Sequence, residues 1–459
     1  MKRFIQTIKN IWSIEDLRSK ILTTLFLIVI YRLGSYIIIP GIDSDALKAA
    51  HPEDASGIVG LISSFTGGAF SRASIMALGV MPYISASIVM QLLGVAVPQI
   101  QKIQRDGESG RKKIQTYTKI LTIVITLLQA PSYLATYVPD GATPEGSDFW
   151  SFTLPAVSVM VAATMFLMWL GDRITDKGIG NGISLLIMIG IVARFPEAVA
   201  GEFSKKVVSD AATGRMFVFI LELIIWFLII AVTILLIQGV RKIPLQYARQ
   251  MAAGGGINTL NQGGARQYIP IKVNIAGVMP IIFAQAIMFI PQTLLTMQLV
   301  DREGTAAAVL SSLTDPRGFW YNFANAMMII LFTFFYTAMV INPRQWADDF
   351  KKQGAFVPGI KPGADTANYI DTILSKITFP GSIFLAAIAI LPAFAMMFDI
   401  STAFAYFFGG TSLLIMVGVV IDTLQQIESH LLMRHYDGLM ESGKIRGRAV
   451  TGATSSVGV

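Results

Sequence analysis

The feature that most constrains this chain is a series of ten long apolar blocks separated by polar segments. The blocks lie at residues 21–39, 73–93, 120–138, 152–170, 183–198, 216–238, 273–298, 319–342, 380–398 and 404–425. A helix of about 20 residues crosses a hydrocarbon core of about 30 Å. Only 14% of the residues are charged, against about 25% in an average soluble domain. We therefore predict an all-α polytopic membrane protein with ten transmembrane helices.

The Lys and Arg residues are distributed unequally between the two sets of loops. With the N-terminus inside, the inner segments and both termini carry 26 of them and the outer loops carry 7. Cytoplasmic loops are enriched in these residues, so we expect both termini in the cytoplasm. The outer loop at 199–215 fits least well, because it contains Lys205, Lys206 and Arg215. Ten spans also divide into two sets of five, and an odd number per set permits an inverted repeat.

These spans also divide the chain into regions. Residues 1–20 form a basic amphipathic segment expected on the cytoplasmic membrane surface, and residues 426–459 form a cytoplasmic tail. Between them lie an N-terminal half at 21–200 and a C-terminal half at 201–425. The cytoplasmic loops at 239–272 and 343–378 each hold five Lys or Arg and are longer than two helices need. Two explanations of these loops stay open. They dock an anionic partner, or they follow the rule that cytoplasmic loops are rich in Lys and Arg.

Composition argues against several classes of function. The chain has no Cys and only three His, His51, His430 and His435, which show no metal-ligand spacing. The Gly-rich stretch at 176–182 lacks the Lys-Ser or Lys-Thr of a phosphate-binding loop, so a tight turn between helices explains it better. We expect no enzyme activity, no metal site and no cofactor.

Few ionisable residues fall within the spans. Arg32 and Glu222 are the clear cases, and Asp422 lies near an inner end. They form no evident relay of the kind that ion-coupled transporters use, and Arg32 is better explained as a partner of backbone or lipid headgroups. The segment at 60–72 is too short and polar to span the membrane. It is either a surface loop on the outer face or a short helix that can shift.

Several segments, in order along the chain, closely resemble the SecY family of bacterial protein-conducting channels. They are GGAFSRASIMALGVMPYISASI, from Gly67 on to Leu93, WLGDRIT at 169–175 with GIGNGIS at 178–184, KVNIAGVMP at 272–280, GAFVPGIKPG at 354–363 and GGTSLLI at 409–415. The resemblance covers essentially the whole chain. It implies a clamshell of two inverted five-helix halves around a central pore. Such a channel translocates unfolded polypeptides across the plasma membrane and releases transmembrane segments sideways into lipid.

The resemblance also implies roles for particular residues. The segment at 60–72 becomes a plug, represented by Ser63, Phe65, Thr66, Gly67, Gly68, Ala69 and Phe70. The implied pore ring is Val80, Ile84, Ile187, Ile282 and Ile415, and the implied lateral gate is Ser85, Gln129 and Asn274. Docking of the ribosome or the SecA motor falls to Arg241, Lys242, Arg249, Lys351, Lys352 and Lys361. SecE and SecG subunits, signal peptides, nascent chains and membrane lipids are the other implied partners.

Three positions depart from the family pattern. Asp172 stands where the family usually has Glu, and Lys361 stands where it usually has Arg. The loop tip at 250–265 lacks the family's dense basic run. An ion-coupled secondary transporter is the alternative from another class, since it also uses inverted repeats. It would need a polar substrate site near the membrane midplane, whereas the implied centre here is aliphatic. A scaffold for other membrane subunits is a third, more distant alternative.

Overall fold

The computed structural model describes residues 12–50, 60, 63, 65–144, 149–208, 213–247, 266–296, 305–315 and 317–441. Most of the predicted amphipathic segment at 1–20, the altered loop tip with Arg249, and the end of the tail at 442–459 lie outside the described residues.

Helices dominate the part of the chain that the structure describes. In chain order they are α1 (Glu15–Gly34), α2 (Ser44–Ala50), α3 (Met81–Ala96), α4 (Pro98–Arg105), α5 (Gly107–Tyr137), α6 (Leu154–Lys177), α7 (Gly182–Phe203), α8 (Thr213–Gln238), α9 (Met279–Thr296), α10 (Thr305–Ser312), α11 (Phe319–Val340), α12 (Pro343–Lys352), α13 (Ala364–Met397), α14 (Thr402–Phe408) and α15 (Gly410–Glu441). Each of the ten apolar blocks overlaps one of the longer helices, namely α1, α3, α5, α6, α7, α8, α9, α11, α13 and α15.

Length and hydropathy identify most of these helices as membrane spans without further argument. Seven described helices are long and apolar enough to cross a bilayer, and an eighth span results if α3 and α4, bent by 105°, are counted together. Helix α9 contributes a shorter apolar stretch, Met279–Met288. Helix α1 carries acidic residues in its first turn and Arg32 in its last turn, which lower its mean hydropathy.

Two spans begin later than the apolar blocks indicate. Residues 66–80 consist mostly of turns, so α3 starts at Met81 and Val80 immediately precedes it. Pro82 suits this start, because proline in a first helical turn loses no intrahelical hydrogen bond. The tenth block is interrupted between α14 and α15. Gly410 has φ +68°, and a Cβ there would lie 3.0 Å from Cγ of Pro392, so glycine allows the chain to turn tightly at this break.

The two long basic loops at 239–272 and 343–378 contain regular structure that the sequence analysis did not predict. Strand β1 (Val240–Tyr247) pairs antiparallel with β2 (Arg266–Lys272), and β3 (Ala355–Phe356) pairs with the other edge of β1, giving the order β2-β1-β3. Ile243 and Leu245 alternate with more exposed neighbours and pack against α13 through Ile370 and Leu374. The segment at 343–378 comprises α12, β3 and the first half of α13.

The apolar core is arranged around the junction of the two halves. One cluster of buried residues combines side chains from both halves, among them Ile187 of α7 and Ile415 of α15. A second cluster lies within the first half between residues 39 and 160, and a third joins α3 to the helices of the second half. The first cluster surrounds the site described next.

Candidate functional site

The centre of the helix bundle holds a small, mainly apolar cavity. Its walls are formed by Phe65, Met81, Ile84, Ser85, Ile187, Ile282, Gln285, Ala286, Thr411 and Ile415. The space that the centre of a water molecule can reach is about 20 Å³. One water needs roughly 10–15 Å³ of such space, so the cavity accommodates about one water and no peptide. The structure therefore describes a closed constriction.

Four isoleucines from four different helices meet at this constriction. Ile84 lies on α3, Ile187 on α7, Ile282 on α9 and Ile415 on α15, two from each half. Ile187 and Ile415 are only 6% and 2% exposed, so neither faces lipid. Aliphatic side chains offer water no hydrogen-bond partner, and constrictions of this kind exclude water by dewetting.

Val80, the fifth position of the implied ring, does not line this cavity. It is buried beside it, in the same core cluster as Phe65, Ile187 and Ile415. Its place just before α3, rather than within it, follows from the late start of that helix. The structure thus brings the five side chains together, and their gating role stays a prediction.

The implied plug lies directly against the constriction. The Phe65 side chain lines the cavity, and Ser63, Thr66 and Ala69 are 0%, 2% and 1% exposed. The Phe70 ring packs on Tyr133 of α5, with ring centroids 4.7 Å apart. The Tyr133 hydroxyl donates a hydrogen bond of 2.7 Å to the Phe70 carbonyl. Helix α5 therefore anchors this segment through both ring contact and hydrogen bonding.

The backbone of the same segment needs glycine where it approaches α7. Gly67 has φ +64°, and a Cβ there would lie 3.0 Å from the Gly190 carbonyl oxygen. The Gly67 carbonyl accepts hydrogen bonds from Arg32 at 3.4 Å and Arg72 at 2.9 Å. The expectation that Arg32 is a partner of backbone is thereby confirmed. Gly68, with φ +83°, continues the turn.

The three implied gate residues occupy different environments. Ser85 lines the central cavity, Gln129 is half-buried on α5, and Asn274 donates a 3.0 Å hydrogen bond to the Gly277 carbonyl. Among the described residues, no hydrogen bond joins any two of the three. Helices α3 and α9 do contact each other, so the two halves meet on this side. The polar latch stays a prediction.

Comparison with known proteins decides the family. A model of the SecY family matches residues 74–424. The protein translocase subunit SecY of Thermotoga maritima is 39% identical over 458 residues, covering 96% of this chain and 99% of that protein. The chain belongs to the SecY family.

Solved structures show the same fold as this SecY family member. A structure reported for the plug domain of the SecY protein, which stabilises the closed state of the translocation channel and maintains a membrane seal, has a TM-score of 0.63 and 19% identity, with 95% of both chains covered. Sec61 in a canine ribosome-channel complex has a TM-score of 0.62, 19% identity and the same coverage. The predicted fold class, a helical clamshell of two inverted halves around a pore, is confirmed.

Two polar residues in the wall of the constriction were not found by sequence analysis. Gln285 of α9 and Thr411 of α15 are 6% and 4% exposed and line the central cavity. Gln285 carried a usable signal, because it is an amide in an otherwise apolar block. Thr411 carried none, since threonine is common in these spans.

The described basic residues predicted to dock a partner are exposed and come from two adjacent segments. Arg241 and Lys242 lie on β1, Lys351 and Lys352 end α12, and Lys361 follows β3. The pairing of β1 with β3 brings the two segments together in one small sheet. These residues therefore belong to one basic surface around the small sheet, and docking on it stays a prediction.

Proposed function

We propose that this chain forms the pore of a protein translocase, in which the four isoleucines and Val80 close around a passing polypeptide. The observation that carries the proposal is the convergence of isoleucines from four helices, two from each half, with Phe65 of the plug on one small cavity. Aliphatic contacts are non-directional. Such a ring fits extended chains of any sequence, as a channel with many clients requires.

Site-specific crosslinking of a stalled secretory chain tests this proposal. A photoreactive residue at Ile282 or Ile415 should crosslink to the chain in transit, because both side chains line the constriction. The matched control is Val420, on the same helix as Ile415 but 42% exposed on the bundle surface. Crosslinks from Val420 as strong as those from Ile415 would reject the ring.

The plug at 60–72 and the seam between α3 and α9 complete the proposed cycle. The plug covers the ring while the channel is idle, and a signal peptide parts the seam so that apolar segments leave into lipid. The proposed role of the plug is supported by the position of Phe65 in the cavity wall and by the anchoring of Phe70 on α5. Hydrogen bonds across helices in membranes are worth about 0.6–2 kcal/mol each, so a latch of Ser85, Gln129 and Asn274 would be weak enough to open.

An ion-coupled transporter is less well supported than a channel. It would need polar or charged groups at a central substrate site, whereas none of the described residues that line the central cavity is charged. We also propose that the chain has no catalytic activity of its own. The energy for movement then comes from a partner that binds the cytoplasmic surface.

We propose that both termini face the cytoplasm and that the chain resides in the plasma membrane. The excess of Lys and Arg in the inner segments supports this orientation. The two lysines that fit least well are neutralised, because Lys206 pairs with buried carboxylates and Lys205 with Asp399. A reporter fused after Lys352 should read cytoplasmic and one fused after residue 148 external. The reverse result would overturn the orientation.

For partners, we propose that SecE and SecG pack around the clamshell and that the SecA motor or the ribosome binds the basic cytoplasmic surface. The structural likeness to a channel from a ribosome complex and the exposure of Lys361 support the second part. Lys361→Glu should weaken SecA or ribosome binding at low salt, and the difference should shrink as salt screens exposed charges. The matched control is Lys112→Glu, an exposed lysine on another cytoplasmic segment. Unchanged affinity at low salt would remove Lys361 from the contact.

A further inference from the structure

A second cavity lies inside the C-terminal half, separate from the constriction. It is enclosed by α9, α11, α13, α14 and α15, and its polar lining includes Gln285, Tyr321, Asn325, Tyr406, Thr411 and Ser412. These six side chains are each less than a tenth exposed. A cluster of buried polar side chains therefore lines part of a mainly apolar cavity inside the helix bundle.

Two residues that line this space each have a buried polar atom without a hydrogen-bond partner among the described residues. Asn325 Oδ1 and Ser412 Oγ are buried without a hydrogen bond among the described residues, and the two residues are 4% and 2% exposed. Buried polar atoms are almost always hydrogen-bonded, to protein or to ordered water. The two unpaired oxygens therefore call for an occupant that can hydrogen-bond to them.

The start of α15 adds donors to the same space. Gly410, Thr411 and Ser412 line the cavity, and the first N–H groups of a helix have no intrahelical acceptor. An anion would accept from these N–H groups but leave the Asn325 carbonyl oxygen unpaired. A cation would do the reverse. Water both donates and accepts, so it alone suits the full set of groups.

We propose that this cavity is a binding site for ordered water. The space open to water centres is about 30 Å³, and one water takes roughly 10–15 Å³ of such space, so the site holds about two molecules. Gln285 and Thr411 line both this cavity and the constriction. The waters thus stand directly behind the wall of the pore. They offer hydrogen bonds to the polar side chains of that wall, Gln285 and Thr411, which lie beside the four isoleucines.

Radiolytic hydroxyl-radical labelling of the complete channel in lipid nanodiscs tests the site, because radicals formed from bound water oxidise the side chains beside it. Tyr321 and Tyr406 should be oxidised several-fold faster than Tyr31. All three tyrosines are buried, at 4%, 4% and 2% exposure. Tyr31 lies in an apolar cluster and lines neither cavity. Equal rates for the three tyrosines in the unmodified protein would overturn the proposal.

A pair of variants sharpens the test. Asn325→Leu removes the unpaired acceptor at similar volume, so oxidation of Tyr321 and Tyr406 should fall to the rate of Tyr31. Ser412→Ala removes a hydroxyl but keeps Asn325 and the helix start, so fast oxidation should persist. An unchanged Tyr31 rate reports intact packing in each variant. Fast oxidation that persists in a correctly packed Asn325→Leu protein would contradict the assignment.

Discussion

The constriction is built from apolar contacts, whereas the linker between the two halves, at residues 204–208 after α7, is built around buried ion pairs. Aliphatic side chains dominate at the constriction, and the lining residues that the structure describes are all uncharged. At the linker, Lys206 lies between Glu202 of α7 and Glu222 of α8, with a Lys206 Nζ to Glu202 Oε1 distance of 3.0 Å. The side chains of Lys206, Glu202 and Glu222 are 6%, 0% and 7% exposed.

The linker network reaches beyond these three side chains. Glu202 also accepts a 2.8 Å hydrogen bond from the backbone N–H of Ser401, which precedes α14. Lys205 forms an ion pair of 3.0 Å with Asp399 in the same segment. These contacts therefore join three parts of the chain at one point: the end of α7, helix α8 and the segment before α14.

The difference teaches where this fold needs directional contacts. Buried ion pairs fix one geometry, because a displaced partner leaves a charge without compensation. Aliphatic contacts lose little when side chains slide past one another, since their attraction depends on area rather than on angle. For the proposed channel, an aliphatic constriction suits repeated opening and closing, whereas buried ion pairs suit a fixed contact between the end of α7 and α8.

The largest expected effect comes from breaking the linker network. Lys206→Met removes the only cation among these three buried groups and leaves Glu202 and Glu222 uncompensated. Removing one partner of a buried ion pair typically costs about 3–5 kcal/mol. We expect a large fall in the thermal stability of the detergent-solubilised channel, measured by unfolding midpoint.

The neighbouring lysine supplies the matched control. Lys205 pairs with Asp399, but their side chains are 42% and 77% exposed. Exposed pairs contribute about 0–1 kcal/mol, so Lys205→Met should change the midpoint little. If both variants lowered it equally, the contrast between buried and exposed pairs at the linker would be wrong.

The linker also shows what the sequence could not reveal. Lys205 and Lys206 counted against the topology, and Glu222 stood as a lone acid in a span. Their partners depend on how α8 folds back beside α7, which no periodic pattern encodes. The long apolar helices were predictable because bilayer thickness alone sets the length of an apolar block. The β-hairpin was missed because Pro244 and Pro270 interrupt both of its strands, and proline is unusual within a sheet.

The constriction was predictable only in part. Composition cannot distinguish an isoleucine that faces lipid from one that faces the pore, because both lie in equally apolar helices. The resemblance supplied Ile84, Ile187, Ile282 and Ile415, and the structure then brought them to one cavity. The late start of α3, which leaves Val80 outside the helix, was not predictable from an apolar run that continues through residues 73–80.

The second expected effect concerns the constriction itself. Ile415→Asn places an amide where the wild-type side chain is 2% exposed, which gives water a hydrogen-bond partner and favours hydration and opening. We expect raised resting conductance and export of precursors with defective signal sequences. Single-channel recording and a signal-defective reporter measure the two outcomes.

Ile415→Leu is the control for this variant. It conserves apolarity and volume, and such exchanges usually cost under about 1.5 kcal/mol, so it should be nearly silent. The same behaviour for Asn and Leu at this position would show that apolarity does not make the seal. The ring assignment would then fail, whereas the contrast between buried and exposed ion pairs at the linker would be unaffected.

The smallest expected effect lies between the two regions, where the plug is anchored on α5. Tyr133→Phe keeps the ring contact with Phe70 at 4.7 Å but removes the hydroxyl that donates to the Phe70 carbonyl. A hydrogen bond contributes about 0.5–1.5 kcal/mol net, and 1.4 kcal/mol is a factor of about ten in an equilibrium. The displaced plug should therefore become about two to ten times more populated.

The population of the displaced plug is measured as resting ion leak in proteoliposomes. Two further variants set a lower and an upper limit for the leak. Tyr137→Phe removes a longer hydrogen bond, 3.3 Å to the Ser71 carbonyl, and should raise the leak less than Tyr133→Phe. Deleting residues 63–70 removes the plug and sets the upper limit, with translocation largely intact because the aliphatic ring remains. A deletion that left the leak unchanged would mean that the ring seals alone. In that case the directional contacts on α5 position a segment that bears no part of the barrier.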